Sequence, residues 1–208
     1  MIFEIEVVGS LGVNCIILGC EKTGKGVVID PGGDADRIRS SVQRLGLTVD
    51  AIINTHGHFD HVGGNAMLKE ATGAPILIHP ADSHMLSMVS SVASMYGISG
   101  ENSPPADEEL QDGMLIEFGE SSLRVLHTPG HTPGGCCLYI EKEKILVSGD
   151  TLFADGIGRT DLPGGSTKQL LESIRNRLLP LPGDVKVYPG HGPSTTIGHE
   201  KSHNPYLA

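Results

Sequence analysis

Residues Ile2 to Val8 alternate apolar and acidic side chains, the pattern of a strand with one buried face. Gly9 to Gly12 ends it in a turn. Cys15 to Leu18 and Gly26 to Ile29 are short apolar runs either side of the polar turn Glu21 to Lys25, which predicts a hairpin. Asp30, Pro31, Gly32 and Gly33 stop the second run. Asp34 then stands in the N-cap position of a helix from Ala35 to Leu45, with Ile38, Val42 and Leu45 on one face. Ala51 to Asn54 reads as a strand, Asn65 to Ala71 as a helix and Ile76 to Ile78 as a short strand. From Ala81 to Tyr96, Met85, Leu86, Met88, Val89, Val92, Met95 and Tyr96 recur at helical spacing. The expectation is a helix whose methionine stripe is core, with the lining of a substrate entrance as the rival. Gly100 to Asp112, with Pro104, Pro105 and several acids, reads as an exposed, mobile loop. Four strands follow, at Met114 to Phe118, Leu123 to Leu126, Cys136 to Ile140 and Ile145 to Val147. An amphipathic helix runs from Thr167 to Leu179, and Val185 to Tyr188 is the last strand. This order suits an α/β chain in which two sheets pack on each other with helices outside.

Length and composition narrow the class. The 208 residues suffice for one domain with a sizeable core and are too few for two ordinary ones. Hydrophobic residues make up 38% and charged residues 19%, the balance of a soluble globular protein, and 28 glycines imply many tight turns and close backbone approaches. A net charge of −10 argues against nucleic acid as a partner, and bound cations would offset part of it locally. Cys15, Cys20, Cys136 and Cys137 form no C-x-x-C pair and read as buried thiols in a reducing compartment. The N-terminus has no basic region before an apolar run and no stretch long enough to span a membrane, so the expected location is the cytoplasm.

Candidate chemistry concentrates after the strand at Ala51. His56, His58, Asp60 and His61 place three imidazoles and a carboxylate within six positions, in the segment Thr55 to Gly63. Imidazole and carboxylate are both ligands of zinc and iron. Strict alternation would put His58 and Asp60 on one face and His61 on the other, so the spacing asks for a loop that folds back on itself. Such a loop can aim His56 and His58 at one metal, and Asp60 and His61 at another. Three later stretches repeat the grammar of an apolar strand ending in glycine and a ligand-type side chain. They are Leu126 to Thr132 with His131, Val147 to Thr151 with Asp150, and Val187 to Gly192 with His191.

The sequence resembles the metallo-β-lactamase superfamily through His56, His58, Asp60, His61, His131, Asp150 and His191, in that order and over essentially the whole chain. The resemblance implies a four-layered αβ/βα sandwich, two mixed β-sheets with helices outside, with the metals at one edge. It implies that His56, His58 and His131 hold a first divalent ion, that Asp60, His61 and His191 hold a second, and that Asp150 bridges them. Thr55 to Gly64, Thr128 to Gly134, Gly149 to Phe153 and Tyr188 to Gly192 are similar to the glyoxalase II-like hydrolases, in a short, single-domain branch. Glyoxalase II carries a further C-terminal helical region that supplies part of its glutathione site, whereas only Ile197 to Ala208 follow the last ligand stretch here. Arg159 stands where that family often has lysine, and Asp161 and Pro193 stand where it has tyrosines. The metal chemistry therefore transfers better than the glutathione recognition.

The implied reaction is hydrolysis of an acyl-thioester, with S-lactoylglutathione as the type substrate. A water shared by two cations has its pKa lowered from ~15.7 to near neutrality and needs no serine or cysteine nucleophile. Zinc is the first expectation for the two ions, with iron and manganese as alternatives. Asp60 is expected to ligate and to orient the attacking hydroxide, and Asp150 to bridge. Arg159 is the candidate for gripping a substrate carboxylate, against a plain salt bridge with Asp155 or Asp161. Asp30 is the candidate acceptor behind a ligand histidine, against a role only in opening the turn at Pro31. His79, His84, His127, His199 and His203 are left as non-ligands, with His127 expected nearest the site. The rival class is a persulfide dioxygenase, which the sequence also resembles at Gly158 to Asp161. It would use one iron held by His56, His131 and Asp150, and a lactonase is a third reading on the same metals. The resemblance disfavours a β-lactamase, whose first loop usually lacks the full set, and an inert metal-binding module. The expected partner is a small-molecule thioester, and oligomeric state is not legible.

Overall fold

The apolar runs form strands because the sandwich buries them on both faces. In the computed structural model, which describes residues 1–207, β1 (Ile2–Val8), β2 (Val13–Gly19) and β3 (Lys25–Ile29) form an antiparallel meander. β4 (Thr48–Ile53), β5 (Ile76–Ile78) and β6 (Glu108–Glu109) extend it in parallel into a six-stranded sheet ordered β1-β2-β3-β4-β5-β6. The second sheet takes β7 (Leu115–Phe118), β8 (Ser121–His127), β9 (Cys136–Ile140) and β10 (Ile145–Gly149). After the small hairpin β11 (Leu152–Phe153) and β12 (Gly156–Ile157), β13 (Lys186–Pro189) and β14 (Thr195–Thr196) complete the order β14-β13-β10-β9-β8-β7.

Side-chain alternation assigns the layers. In β2, Ile16 and Leu18 face the opposite sheet, while Cys15 and Ile17 face outward onto helices. In β9, Cys136, Leu138 and Ile140 face inward and Cys137 and Tyr139 face outward. α1 (Ala35–Arg44), α2 (Phe59–Val62), α3 (Asn65–Thr72) and α4 (Val89–Met95) cover the first sheet through Ile38, Val42, Val62, Leu68 and Val89. α5 (Thr167–Ser173), the π-turn Ile174–Leu178 and α6 (Ile197–His203) cover the second through Leu170, Ile174, Leu178 and Ile197. The result is the expected αβ/βα sandwich. Phe118 is fully buried between the sheets. Phe118→Ala should cost about 3–5 kcal/mol of unfolding free energy in a denaturant titration, because the layers around it collapse only in part.

Several local expectations are corrected. The Asp34 carboxylate does not cap α1. Its backbone is left-handed (φ 48°), and it accepts a hydrogen bond from the Gly9 N–H at 2.9 Å, which ties the β1–β2 turn to the start of the helix. The stretch Ala81 to Tyr96 is a 3₁₀ turn (Ser83–Met88) followed by α4. The change from three to 3.6 residues per turn breaks the stripe. Leu86, Val89 and Ala93 are buried, whereas Met88, Met95 and Tyr96 are 47%, 84% and 53% exposed. The methionines are therefore not core. Gly100 to Asp112 is anchored rather than free, since β6 pairs with β5, Leu110 is fully buried and Ser103 N–H donates to Leu86 O at 3.0 Å. The helix expected to run from Thr167 to Leu179 changes to a π-turn after Ser173. Among the described residues no helix is long and apolar enough to cross a membrane.

Candidate metal centre

The carboxyl ends of β4, β8, β10 and β13 lie at one edge of the sandwich, where open α/β sheets bind their ligands. Short backbone bonds lace this edge together across both sheets. Cys136 N–H donates to Thr55 O at 2.8 Å, Gly190 N–H to Gly149 O at 2.8 Å and Asn14 N–H to Gly190 O at 2.7 Å. The Asn14 side-chain amide donates to Pro189 O at 2.9 Å and to Gly192 O at 3.0 Å. Glycine is required at the centre of this lacing: a Cβ on Gly190 would lie 2.2 Å from Asp150 Oδ1 and 2.7 Å from His61 Cε1.

Two groups of side chains converge there. His56, His58 and His131 form one, Asp60, His61 and His191 the other, and within each the potential ligand atoms lie within 4.8 Å of one another. Asp150 faces both. Its Oδ1 is 3.5 Å from His61 Nε2, and its Oδ2 is 3.5 Å from His131 Nε2 and 3.8 Å from His191 Nε2. All seven residues singled out in the sequence thus meet at one edge.

Hydrogen bonds on the far side of each ring fix the tautomers. The Thr55 hydroxyl donates to Asp30 Oδ2 at 2.6 Å, so its oxygen accepts from His56 Nδ1 at 3.1 Å. His61 Nδ1 donates to Asp30 Oδ2 at 3.0 Å, His131 Nδ1 to Arg159 O at 2.7 Å and His191 Nδ1 to Leu11 O at 3.1 Å. With Nδ1 carrying a proton, each Nε2 is the ring atom turned to the interior, the one a cation would meet once that nitrogen is unprotonated. His58 is turned the other way, its Nδ1 2.9 Å from His131 Nε2. His56 Nε2, His61 Nε2 and Asp150 Oδ1 are buried and have no hydrogen-bond partner among the described residues. Buried polar atoms are costly to leave unpaired. Three such atoms gathered at this edge, two nitrogens and an oxygen, fit divalent cations such as zinc or iron.

The cluster's own charges set its protonation. Burial pushes His56 well below the usual histidine range. Burial, with His131 and His61 close by, takes His58 down to about 3. Burial also opposes protonation of His61, but Asp150, Asp30 and Asp60 outweigh it and hold His61 up at about 10. Burial would raise Asp60, yet the hydrogen bond from His191 and the charges of His61 and His191 keep it at about 2.

Asp30 takes the supporting role considered for it. It is 1% exposed, has φ 51°, and accepts from Thr55 N–H at 2.7 Å as well as from the Thr55 hydroxyl and His61. Asp30→Asn should weaken cation affinity about 10- to 100-fold, since it unsettles the rings of both His56 and His61. Competition against a chelating dye reads this, and unchanged affinity would show that the rings hold themselves.

Arg159 does not present a free guanidinium. Its fork is closed on Asp161 by two bonds of 2.8 Å, with both side chains exposed, so the salt-bridge alternative describes the geometry found. Its contribution at the edge is the backbone oxygen that holds His131. Thr55 and the carbonyls of Leu11 and Arg159 escaped sequence reading, because hydroxyls and backbone oxygens carry no pattern. Of the remaining histidines, His79 and His127 stack on each other at 4.1 Å and His199 pairs with Asp155 at 2.7 Å. Beside Asp60 lies a cavity of about 310 Å³, bounded by Leu11, Phe59, Val89 and Ile98, with Asp34 and Glu101 in its wall and no basic side chain.

A protein-family profile described as the metallo-beta-lactamase superfamily matches residues 8–191. The hydroxyacylglutathione hydrolase GloC of Haemophilus influenzae is 36% identical over 100% of this chain and 98% of its own. Among solved structures, BLEG-1, a B3 metallo-beta-lactamase, superposes with a TM-score of 0.92 at 39% identity, covering 99% of each chain. TTHA1623 in a di-iron-bound form superposes with a TM-score of 0.90 at 38% identity, over 98% of this chain and 100% of the other. ETHE1 from Myxococcus xanthus does so at 0.82 and 30% identity, over 99% of this chain and 84% of the other.

Proposed function

The chain belongs to the metallo-β-lactamase superfamily, and from that premise we propose that it is a two-cation hydrolase of acyl-thioesters, with S-lactoylglutathione as the type substrate. The observation that carries this reading is the second group of ligands, Asp60, His61 and His191, complete beside the first and joined to it by Asp150. His56 Nε2, His58 Nδ1 and His131 Nε2 would hold one divalent cation, the second group the other, and Asp150 would contact both. Two cations so held would lower the pKa of a shared water from ~15.7 towards neutrality and polarise an acyl carbonyl.

The chain's residues do the rest. Asp60 is ionised at neutral pH, its carboxyl being held at about 2, and its 15% exposed side chain can accept a hydrogen bond from an attacking water and orient it. The Nδ1 bonds to Asp30, Thr55, Arg159 and Leu11 keep four imidazoles from turning during the reaction. A thiolate leaving group, with a thiol pKa near ~8.5, asks little of a proton donor, which agrees with a site edge built from acceptors. The cavity beside Asp60 suits an uncharged acyl group, because its wall is apolar and acidic. The resemblance to GloC over the full length supports a thioester as substrate.

A mononuclear iron persulfide dioxygenase is the second reading, favoured by one fact: its three expected ligands, His56, His131 and Asp150, lie in the same cluster. A lactonase would use the metals as the hydrolase does. Metal analysis paired with a thiol-release assay tests the proposal. Two cations per chain with cleavage of S-lactoylglutathione supports it. One iron with oxygen uptake on glutathione persulfide replaces it, and lactone cleavage without thioester cleavage moves it to the third reading.

A further inference from the structure

Asp82 lies outside the seven ligand positions and follows β5 at the start of the 3₁₀ turn. It is fully buried, and among the described residues it forms no ion pair. Its carboxylate is spent on two backbone amides. Oδ2 accepts from Gly57 N–H at 3.1 Å and Oδ1 from Gly134 N–H at 2.7 Å. Gly57 sits between His56 and His58, and Gly134 belongs to the turn that follows His131. One side chain therefore clasps the two loops that deliver all three imidazoles of the first group. Both loops reach it only because they carry glycine. A Cβ on Gly134 would lie 2.6 Å from Asp82 Cγ, and one on Gly57 would lie 2.8 Å from Met85 Cβ and 3.0 Å from Asp82 O. The clasp is itself anchored, since Asp82 O accepts from Met85 N–H at 2.9 Å and the neighbouring Leu86 is buried in the core. Burying a carboxylate away from any cation is costly unless its bonds serve some end. Here both bonds are charge-assisted and both end on ligand loops.

We propose that Asp82 is a positioning residue of the metal centre. It sets the approach of the His56–His58 loop to the His131 loop, seen as the 2.9 Å separation of His58 Nδ1 from His131 Nε2, and through it the affinity of the first cation position. The inference rests on the two-cation reading of this edge. Asp82→Asn keeps the shape but offers one oxygen in place of two. Its amide nitrogen must face one of the glycine N–H donors, so one loop loses its anchor.

The test uses cobalt(II) added to metal-free protein, read by visible absorption and by competition with a chelator. It is run in the wild-type background and with His191→Ala, which isolates the first group. Asp82→Asn should weaken cobalt binding at the first group about 10- to 100-fold and leave the second nearly unchanged. Amide exchange at Gly57 or Gly134 should quicken in the metal-free variant. Gly134→Ala, which keeps the carboxylate but wedges the loop away, should reproduce the weaker binding and serves if Asp82→Asn does not fold. Ser41→Ala, at a buried hydroxyl of α1 that donates to Glu6 on β1, is the control for lost stability alone. If it weakens cobalt as much as Asp82→Asn does, or if Asp82→Asn binds cobalt as the wild type does, the positioning role is overturned. Wild-type protein that takes up no cobalt removes the metal-centre reading itself, a result distinct from two normal sites that ignore Asp82.

Discussion

Asp150→Ala is expected to remove bound metal and turnover together. Its carboxylate faces both groups, with Oδ1 3.5 Å from His61 Nε2 and Oδ2 3.5 Å from His131 Nε2. Without it, the first group is three imidazoles with no carboxylate, and Asp60 is the one anion left in the two ligand groups to balance two cations. A loss of about 4 kcal/mol of transition-state stabilisation corresponds to ~10³-fold in rate, a modest figure for losing Lewis acids that generate the nucleophile. Elemental analysis after desalting and thiol release from a thioester read the two effects on one sample. A variant that keeps two cations and wild-type turnover would refute the bridging role. The same carboxylate governs how binding depends on pH. In metal-free protein Asp150, Asp30 and Asp60 hold His61 up at about 10, so its imidazole keeps a proton at neutral pH. A cation must expel that proton, so affinity should rise with pH through the neutral range towards about 10 and proton release should accompany binding. A calorimetric titration in two buffers of different ionisation enthalpy counts the protons.

The seven side chains could be found in the sequence because their chemistry is contiguous there. His56, His58, Asp60 and His61 lie within six consecutive positions that run into α2, and His131, Asp150 and His191 each follow an apolar strand that ends in or near glycine. The layers were legible for a similar reason: runs such as Cys136 to Ile140, buried on both faces, cannot be solvent-facing strands. What stayed hidden depends on contacts between distant segments. Asp82 and Asp34 look like ordinary turn residues, and only the fold shows that one clasps two ligand loops and the other the β1–β2 turn. β6 is two glutamates long and exists because β5 offers an open edge. The methionine stripe follows helical spacing through a segment that starts as a 3₁₀ turn, and at three residues per turn the angular offset grows with each residue and carries Met88 and Met95 to the surface. Arg159 was ambiguous in sequence because Asp161 lies two positions away, and whether a fork closes locally or reaches for a ligand is a matter of loop conformation.

His191→Ala separates the hydrolase from the oxygenase reading with a single substitution. His191 arrives from the end of β13 and is held by Leu11 O at 3.1 Å, with its Nε2 3.3 Å from Asp60 Oδ2. Removing the ring leaves the second position with Asp60, His61 and the Asp150 it shares with the first, one imidazole fewer than the complete set, so the cation held there should be the one lost to a chelator. His56, His58, His131 and Asp150 are untouched. If two cations activate the water, the variant should bind one and lose ~10²- to 10³-fold in thioester turnover, equivalent to about 3–4 kcal/mol. If the working site is one iron held by His56, His131 and Asp150, the variant should keep that iron and consume oxygen with glutathione persulfide at the parent rate. The two expectations move opposite quantities, so loss of the second cation with thioester turnover intact would sink the two-cation mechanism whatever the substrate proves to be.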